Sequence, residues 1–255
     1  MALLVIGVLA LILFVGFFLL KNSIDVKNMM WYFKNGNVIV SGKKGRGKDL
    51  LFQYVINKRK DFYYSNISYG GKNKILSIKQ VSCEPNTYDS IINEKIVKTP
   101  HIFKEGKDIY LSDCGTFLPS QMDSVLHKKY PSMPIYYALS RHLYNSNVHC
   151  NTQNLERVWK GLREQADFYP VCKRVYKWLP GFLIIKVISY DKYQSAINGV
   201  LPLKKRWNKQ SRNQVDLYNA QNGDIRKFYV FVRKGSIKYN TRAFEKILLK
   251  GRRKY

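Results

Sequence analysis

The stretch Gly42-Lys43-Lys44-Gly45-Arg46-Gly47-Lys48-Asp49 constrains this chain more than any other, because of what stands on either side of it. Before it, residues 37–41 (NVIVS) are largely β-branched and apolar, as a buried parallel strand should be. After it, residues 49–60 (DLLFQYVINKRK) place Leu50, Leu51, Tyr54 and Val55 at a helical period. Strand, glycine-rich turn and helix are the context in which the pattern GxxxxGK[ST] wraps its backbone N–H groups around a phosphate. Glycine allows the close approach, the helix N-terminus adds partial positive charge, and the lysine, here Lys48, reaches the outer phosphates. Nucleotide contact is therefore expected from Gly42, Lys43, Lys44, Gly45, Arg46, Gly47, Lys48, Asp49 and Leu50, with ATP and Mg²⁺ as the implied cofactors.

One position departs from the pattern. Asp49 stands where Ser or Thr would offer a hydroxyl to Mg²⁺. A carboxylate can ligate Mg²⁺, yet it adds negative charge beside phosphates unless the metal or Lys43, Lys44 and Arg46 compensate. Aspartate also suits the first turn of a helix, so Asp49 has a purely local reading, and a glycine-rich turn that binds nothing is the bland alternative.

A phosphate-loop site needs a carboxylate at the end of a neighbouring strand. Residues 107–114 (KDIYLSDC) offer one: 109–111 read as the strand, and Asp113 sits at its carboxyl end, before Gly115. Two registers are open. Either Asp113 is the magnesium acid and Cys114 stands in the place of a catalytic carboxylate, or Ser112 takes the metal position and Asp113 is the base. Asp49 and Asp113 are thus the expected metal-binding pair. Residues 144–153 read as a further strand whose tip carries Gln153, a candidate to sense the γ-phosphate and orient water. The next segment, 155–166, reads as a helix with Arg157, Lys160 and Arg163 on an exposed face. Arg163 is a candidate finger into a neighbour's site, and a plain solvated face is the alternative.

Residues 2–20 (ALLVIGVLALILFVGFFLL) contain no charged side chain, and at about 1.5 Å rise per residue they match the roughly 30 Å hydrocarbon core of a bilayer. A secretory leader should have a basic segment ahead of a shorter apolar run, so a retained single anchor is expected. Lys21, Lys27 and Lys34 follow the run, which places the remainder in the cytoplasm. Lysine and arginine total 44 against 17 acids, a net charge of +27. That excess calls for a polyanionic partner, or reflects the lysine-rich bias that accompanies many Asn, Tyr and Ile residues. The four cysteines (Cys83, Cys114, Cys150, Cys172) lack the pairing of a disulfide framework or a zinc site, and neither is expected.

In the last third, residues 173–191 alternate around Leu179-Pro180-Gly181 and read as a hairpin, and 225–233 (IRKFYVFVR) as another strand. Between them lie Lys204, Lys205, Arg206, Trp207, Lys209 and Arg212. Basic side chains beside an aromatic suit single-stranded nucleic acid, and suit anionic lipid equally. The expected fold class is α/β: a P-loop NTPase core with a mainly parallel sheet flanked by helices, preceded by one transmembrane helix and followed by a β-rich basic part. The expected divisions are an anchor at 2–20, a linker at 21–36, the core at 37–172 and a β-rich subdomain at 173–255.

Three stretches, GKKGRGKDLL, YLSDCGTFLPSQMD and SRHLYNSNVHCNTQNLERVWKGLR, together resemble the zonular occludens toxin family, the morphogenesis ATPases of filamentous phages. The likeness covers roughly residues 37–167. It implies an ATPase core related to DNA-translocating ring motors, acting at the host inner membrane in the assembly and export of phage particles. It further implies a homo-oligomer and single-stranded DNA or phage coat and assembly proteins as partners. Two features depart from the family: its anchor usually follows the ATPase domain, and the acids differ through Asp49 and the missing Asp-Glu pair. An inactive or nucleotide-binding basic membrane scaffold, and a conjugation-type DNA pump, are the competing readings.

Overall fold

The apolar N-terminal run and the segment after it form one continuous helix, α1 (Ala2–Asn35), in a computed structural model that describes residues 2–76, 90–92, 95–97, 106–117, 140–141, 145–190, 196 and 226–237. At about 1.5 Å per residue α1 is roughly 50 Å long. The expected linker at 21–36 is therefore helical up to Asn35. The reason is local: no Gly or Pro falls between Leu20 and Asn35, and Val26, Met29, Met30 and Phe33 recur at helical spacing on the face that packs into the core. Met29 and Phe33 are fully buried. Residues Ile6–Asn35 are long and apolar enough to cross a membrane (mean hydropathy 2.1), and the apolar window of that segment is unburied.

Beyond α1 come β1 (Val38–Ser41), α2 (Lys48–Arg59), β2 (Tyr63–Ser65), β3 (Asn73–Ile75), β4 (Ser90–Ile92), β5 (Lys95–Val97) and β6 (Ile109–Leu111). These are followed by β7 (Val148–Thr152), β8 (Tyr169–Tyr176), β9 (Phe182–Tyr190) and β10 (Arg226–Arg233). Eight of the strands make one sheet in the order β10-β9-β8-β1-β7-β6-β2-β3, and β4 with β5 forms a separate antiparallel pair. The run from β8 to β3 is parallel, while β8, β9 and β10 meander antiparallel. The strands are apolar on both sides, as a covered parallel sheet requires. Ile39, Tyr64, Ile109 and Leu111 face one core, and Val38, Val40, Tyr63 and Tyr110 face the other.

The chain differs from the sequence expectations at several points. The division expected at 172/173 falls inside β8, and the hairpin of β8 and β9 extends the core sheet. The helix expected at 155–166 is a 3-10 turn at Leu155–Arg157 and a short helix at Lys160–Glu164, because Val158 between them is extended and its side chain is buried in the core. Edge strand β10 is closed by α1. The side-chain amide of Asn22 donates to the Tyr229 carbonyl (3.0 Å) and accepts from the Tyr229 N–H (2.6 Å), so this pair of edge groups is satisfied. Helix α1 is thereby fixed to the sheet by hydrogen bonds as well as by packing.

Candidate nucleotide site

The loop between β1 and α2 has the backbone the sequence demands. Gly42, Gly45 and Gly47 all have positive φ (147°, 75° and 92°). Two of the three are also sterically fixed: a Cβ on Gly42 would lie 2.5 Å from the Cys172 carbonyl oxygen, and one on Gly47 would lie 2.8 Å from Val175 Cγ2. β8 therefore packs directly against the loop. The Arg46 N–H closes a turn onto the Lys43 carbonyl (3.2 Å), and Gly47 caps α2 without a side-chain bond. The first-turn N–H groups of α2 thus receive no side-chain cap from Gly47. Lys48 is 8% exposed, with Nζ 3.3 Å from the Lys43 carbonyl. Burial pushes its pKa down, and the nearby carboxylates of Asp49 and Asp113 partly offset that. A buried ammonium beside a glycine cradle is a built receptor for phosphate.

The acid strand lies one place further away than expected. β7 stands between β1 and β6, so Asp113 is carried two strands from the loop. Asp49 bridges the gap. Its Oδ1 accepts from Tyr69 Oη (2.9 Å), Ser112 Oγ (2.8 Å) and Asn151 Nδ2 (2.7 Å). Asn66 fixes Ser112 from behind, its amide bonding both the N–H (2.7 Å) and the carbonyl (2.8 Å) of that residue. Asn151 Oδ1 accepts the Asp113 N–H (2.8 Å), and Asp113 sits at φ 55°, which turns the chain at the end of β6.

Of the residues in the two registers, Ser112 is the one whose side chain meets Asp49. Cys114 is fully buried, its thiol 3.4 Å from the Leu111 carbonyl, and burial raises its pKa well above the ordinary thiol value. Burial therefore disfavours the thiolate that a base at this position would need. Cys172 behaves similarly: burial pushes it up to about 12 against the opposing pull of Lys48.

Gln153 is exposed one residue past β7, and the amide that reaches the loop is Asn151, two residues earlier on the same face of the strand. Arg163 lies in the short helix, half-buried, and its carbonyl accepts from Tyr169 Oη, unlike the exposed Arg157 and Lys160. Lys160 pairs with Glu164 at 3.6 Å on the surface. The basic set Lys204, Lys205, Arg206, Trp207, Lys209 and Arg212 lies outside the described residues. Tyr69, Asn66 and Asn151 were missed in the sequence. Asn151 carried a signal, a polar residue at an inward position of a buried strand, whereas Tyr69 and Asn66 sit in an irregular loop with none.

The donor set fits Mg²⁺, a hard cation usually held by one or two protein oxygens together with nucleotide phosphates. Asp49 and Ser112, 2.8 Å apart, could supply such oxygens. Among the described residues no group of three or more His, Cys, Asp and Glu could hold a metal alone.

No protein-family model matches the sequence, and no curated protein matches it. Solved structures do. The N-terminal domain of zonular occludens toxin from Neisseria meningitidis is 10% identical, with a TM-score of 0.44, covering 82% of this chain and 97% of that one. The genome packaging NTPase B204 of Sulfolobus turreted icosahedral virus 2, in complex with ATP-gammaS, is 12% identical at a TM-score of 0.35, covering 66% and 95%. EssC (ATPases 2 and 3) from Geobacillus thermodenitrificans is 12% identical at a TM-score of 0.31, covering 72% and 43%. In structure, as in its motifs, the chain is similar to zonular occludens toxin.

Proposed function

We propose that this chain is a P-loop ATPase held at the cytoplasmic face of a host inner membrane by α1. In this reading it works as a homo-oligomeric ring and couples ATP hydrolysis to extrusion of filamentous virions or movement of single-stranded DNA. The observation that carries the enzymatic part is the convergence of Ser112, Asn151 and Tyr69 on Asp49, one residue past the buried Lys48. A loop that bound nothing would not need three elements to place their donors on its first helical carboxylate. The sequence resemblance supplies the phage-assembly part.

The roles follow from position. Backbone N–H groups at the start of α2 and the Lys48 ammonium hold the β- and γ-phosphates. Asp49 and Ser112 would hold Mg²⁺, which would supply charge neutralisation for the phosphates. Asp113 takes the proton of the water that attacks the γ-phosphorus as the bond to the β-phosphate oxygen breaks. Asn151 ties the two acids together, donating to Asp49 and accepting from the Asp113 N–H, and so couples the loop to the end of β6.

The test is Mg²⁺-ATP turnover by the full-length chain in lipid nanodiscs, with and without single-stranded DNA, against Lys48→Ala. Turnover that Lys48→Ala abolishes supports the ATPase, and stimulation by DNA favours DNA movement over virion extrusion alone. A folded wild type with no turnover above the Lys48→Ala background overturns the ATPase in favour of the scaffold, the reading that Asp49 at a hydroxyl position favours. The full chain is needed: a soluble fragment starting near Val26 would lose Asn22 and its two bonds to β10.

A further inference from the structure

We infer that Asp49 and Ser112 have exchanged roles: the metal-anchoring carboxylate of this site comes from the first turn of α2, and the metal-anchoring hydroxyl from the end of β6. The inference rests on the nucleotide reading above and deepens it. Phosphate-loop sites take a hydroxyl from the residue after the lysine and a carboxylate from the acid strand. In this chain both positions depart from that rule, each with the other's chemistry, and the two side chains meet at 2.8 Å. Two independent losses would leave a mismatched pair. A reciprocal change leaves one carboxylate and one hydroxyl at the same point in space, with the same net charge.

The surroundings are built for the exchanged arrangement. Asn66 grips only the backbone of Ser112 and leaves Oγ to donate to Asp49. Asp49 receives Tyr69 Oη and Asn151 Nδ2 as well. All three bonds fall on Oδ1, and among the described residues Oδ2 takes none, which keeps acceptor capacity for a cation. A purely helix-capping aspartate would require none of these partners. Asp113 is then a separate acid at the end of β6, its N–H held by Asn151.

The experiment is a reciprocal exchange in the full-length chain: Asp49→Ser, Ser112→Asp and the double variant, with Asp49→Asn as an isosteric control. Two quantities are read: the affinity of a fluorescent ATP analogue in Mg²⁺ and in EDTA, and the melting temperature without nucleotide. The Mg²⁺-dependent gain in affinity should fall by about tenfold or more in Asp49→Ser and Asp49→Asn, the scale on which metal-site partners act. The EDTA affinity should hold or improve, since a negative charge beside the phosphates is gone. Ser112→Asp alone should lower the melting temperature, because it sets two carboxylates within one hydrogen-bond length. The double variant should recover both quantities. A wild-type Mg²⁺ gain in Asp49→Ser and Asp49→Asn, or a folded double variant that recovers nothing, overturns the exchange. If wild type and Lys48→Ala bind the analogue equally poorly in both buffers, the nucleotide reading itself fails and takes the exchange with it.

Discussion

Gly47→Ala is the substitution whose cost can be worked most directly from the structure. Gly47 has φ 92°, and the added Cβ would lie 2.8 Å from Val175 Cγ2 and 3.3 Å from Ile185 Cγ2. Left-handed backbone costs a non-glycine residue about 1–2 kcal/mol. Overpacking against a side chain that must shift adds about 1–3 kcal/mol. The expected destabilisation is therefore about 2–5 kcal/mol, a large share of a typical domain's stability. The two parts separate in a double-mutant cycle with Val175→Ala, which removes the contacting methyl and leaves the backbone strain. Chemical denaturation of the four proteins should show Val175→Ala rescuing roughly the overpacking part, with a coupling of about 1–3 kcal/mol. Additive effects, with no coupling between residues 47 and 175, would refute the claim that β8 packs onto the phosphate loop.

Other outcomes follow from the same coordinates. Asn22→Leu removes both bonds to Tyr229 and should cost about 1–3 kcal/mol, read by urea denaturation in detergent; an unchanged midpoint would detach α1 from the edge of β10. Asp113→Asn should keep nucleotide affinity and lose about 10²-fold or more in turnover; equal losses in both would deny it the role of base. Acid should destabilise the fold through two groups. Burial lowers the pKa of His149 from 6.5 despite Asp108 beside it (3.5 Å), so below 6.5 the unfolded chain takes a proton that the folded one refuses. Burial raises the pKa of Asp108, but His149, Arg59 and the Asn147 N–H outweigh it and leave the group lowered, so its contribution is present above 3.8 and is lost as pH falls through the folded value. Melting temperature should thus decline on acidification below 6.5, and His149→Gln should flatten the first part of that decline; an unaltered slope in the variant would contradict the assignment.

What the sequence revealed, and what it hid, follows the range of the forces involved. The loop from Gly42 to Asp49 was legible because strand, glycines and helix are each dictated within a dozen residues. The β8–β9 hairpin was legible from alternation about Pro180-Gly181 for the same reason. The order of strands was not, because the insertion of β7 between β1 and β6 is decided by pairing across more than a hundred residues. That insertion moved the amide at the site from Gln153 to Asn151 and made Asp49 the bridge to Ser112. That residues 21–35 continue the helix was hidden for another reason. Met29 and Phe33 are buried, with Val26 and Met30 packed beside them, and part of what they meet, the sheet edge at β10, is distant in sequence. The network of Arg59, Asp108, Asn147 and His149 at the opposite end of the strands went unseen likewise, since its members come from α2, β7 and the segments leading into β6 and β7.

Whether the cradle around Lys48 holds a nucleoside triphosphate is settled most directly by thermal unfolding of the full-length chain with increasing ATP. At about 100 times the dissociation constant, binding to the folded state alone adds about 2.7 kcal/mol of stability. The wild type should therefore melt at progressively higher temperature as ATP and Mg²⁺ rise, while Lys48→Ala, folded in their absence, should not respond. A wild-type melting temperature that ignores ATP, or a Lys48→Ala variant that responds equally, would contradict the account.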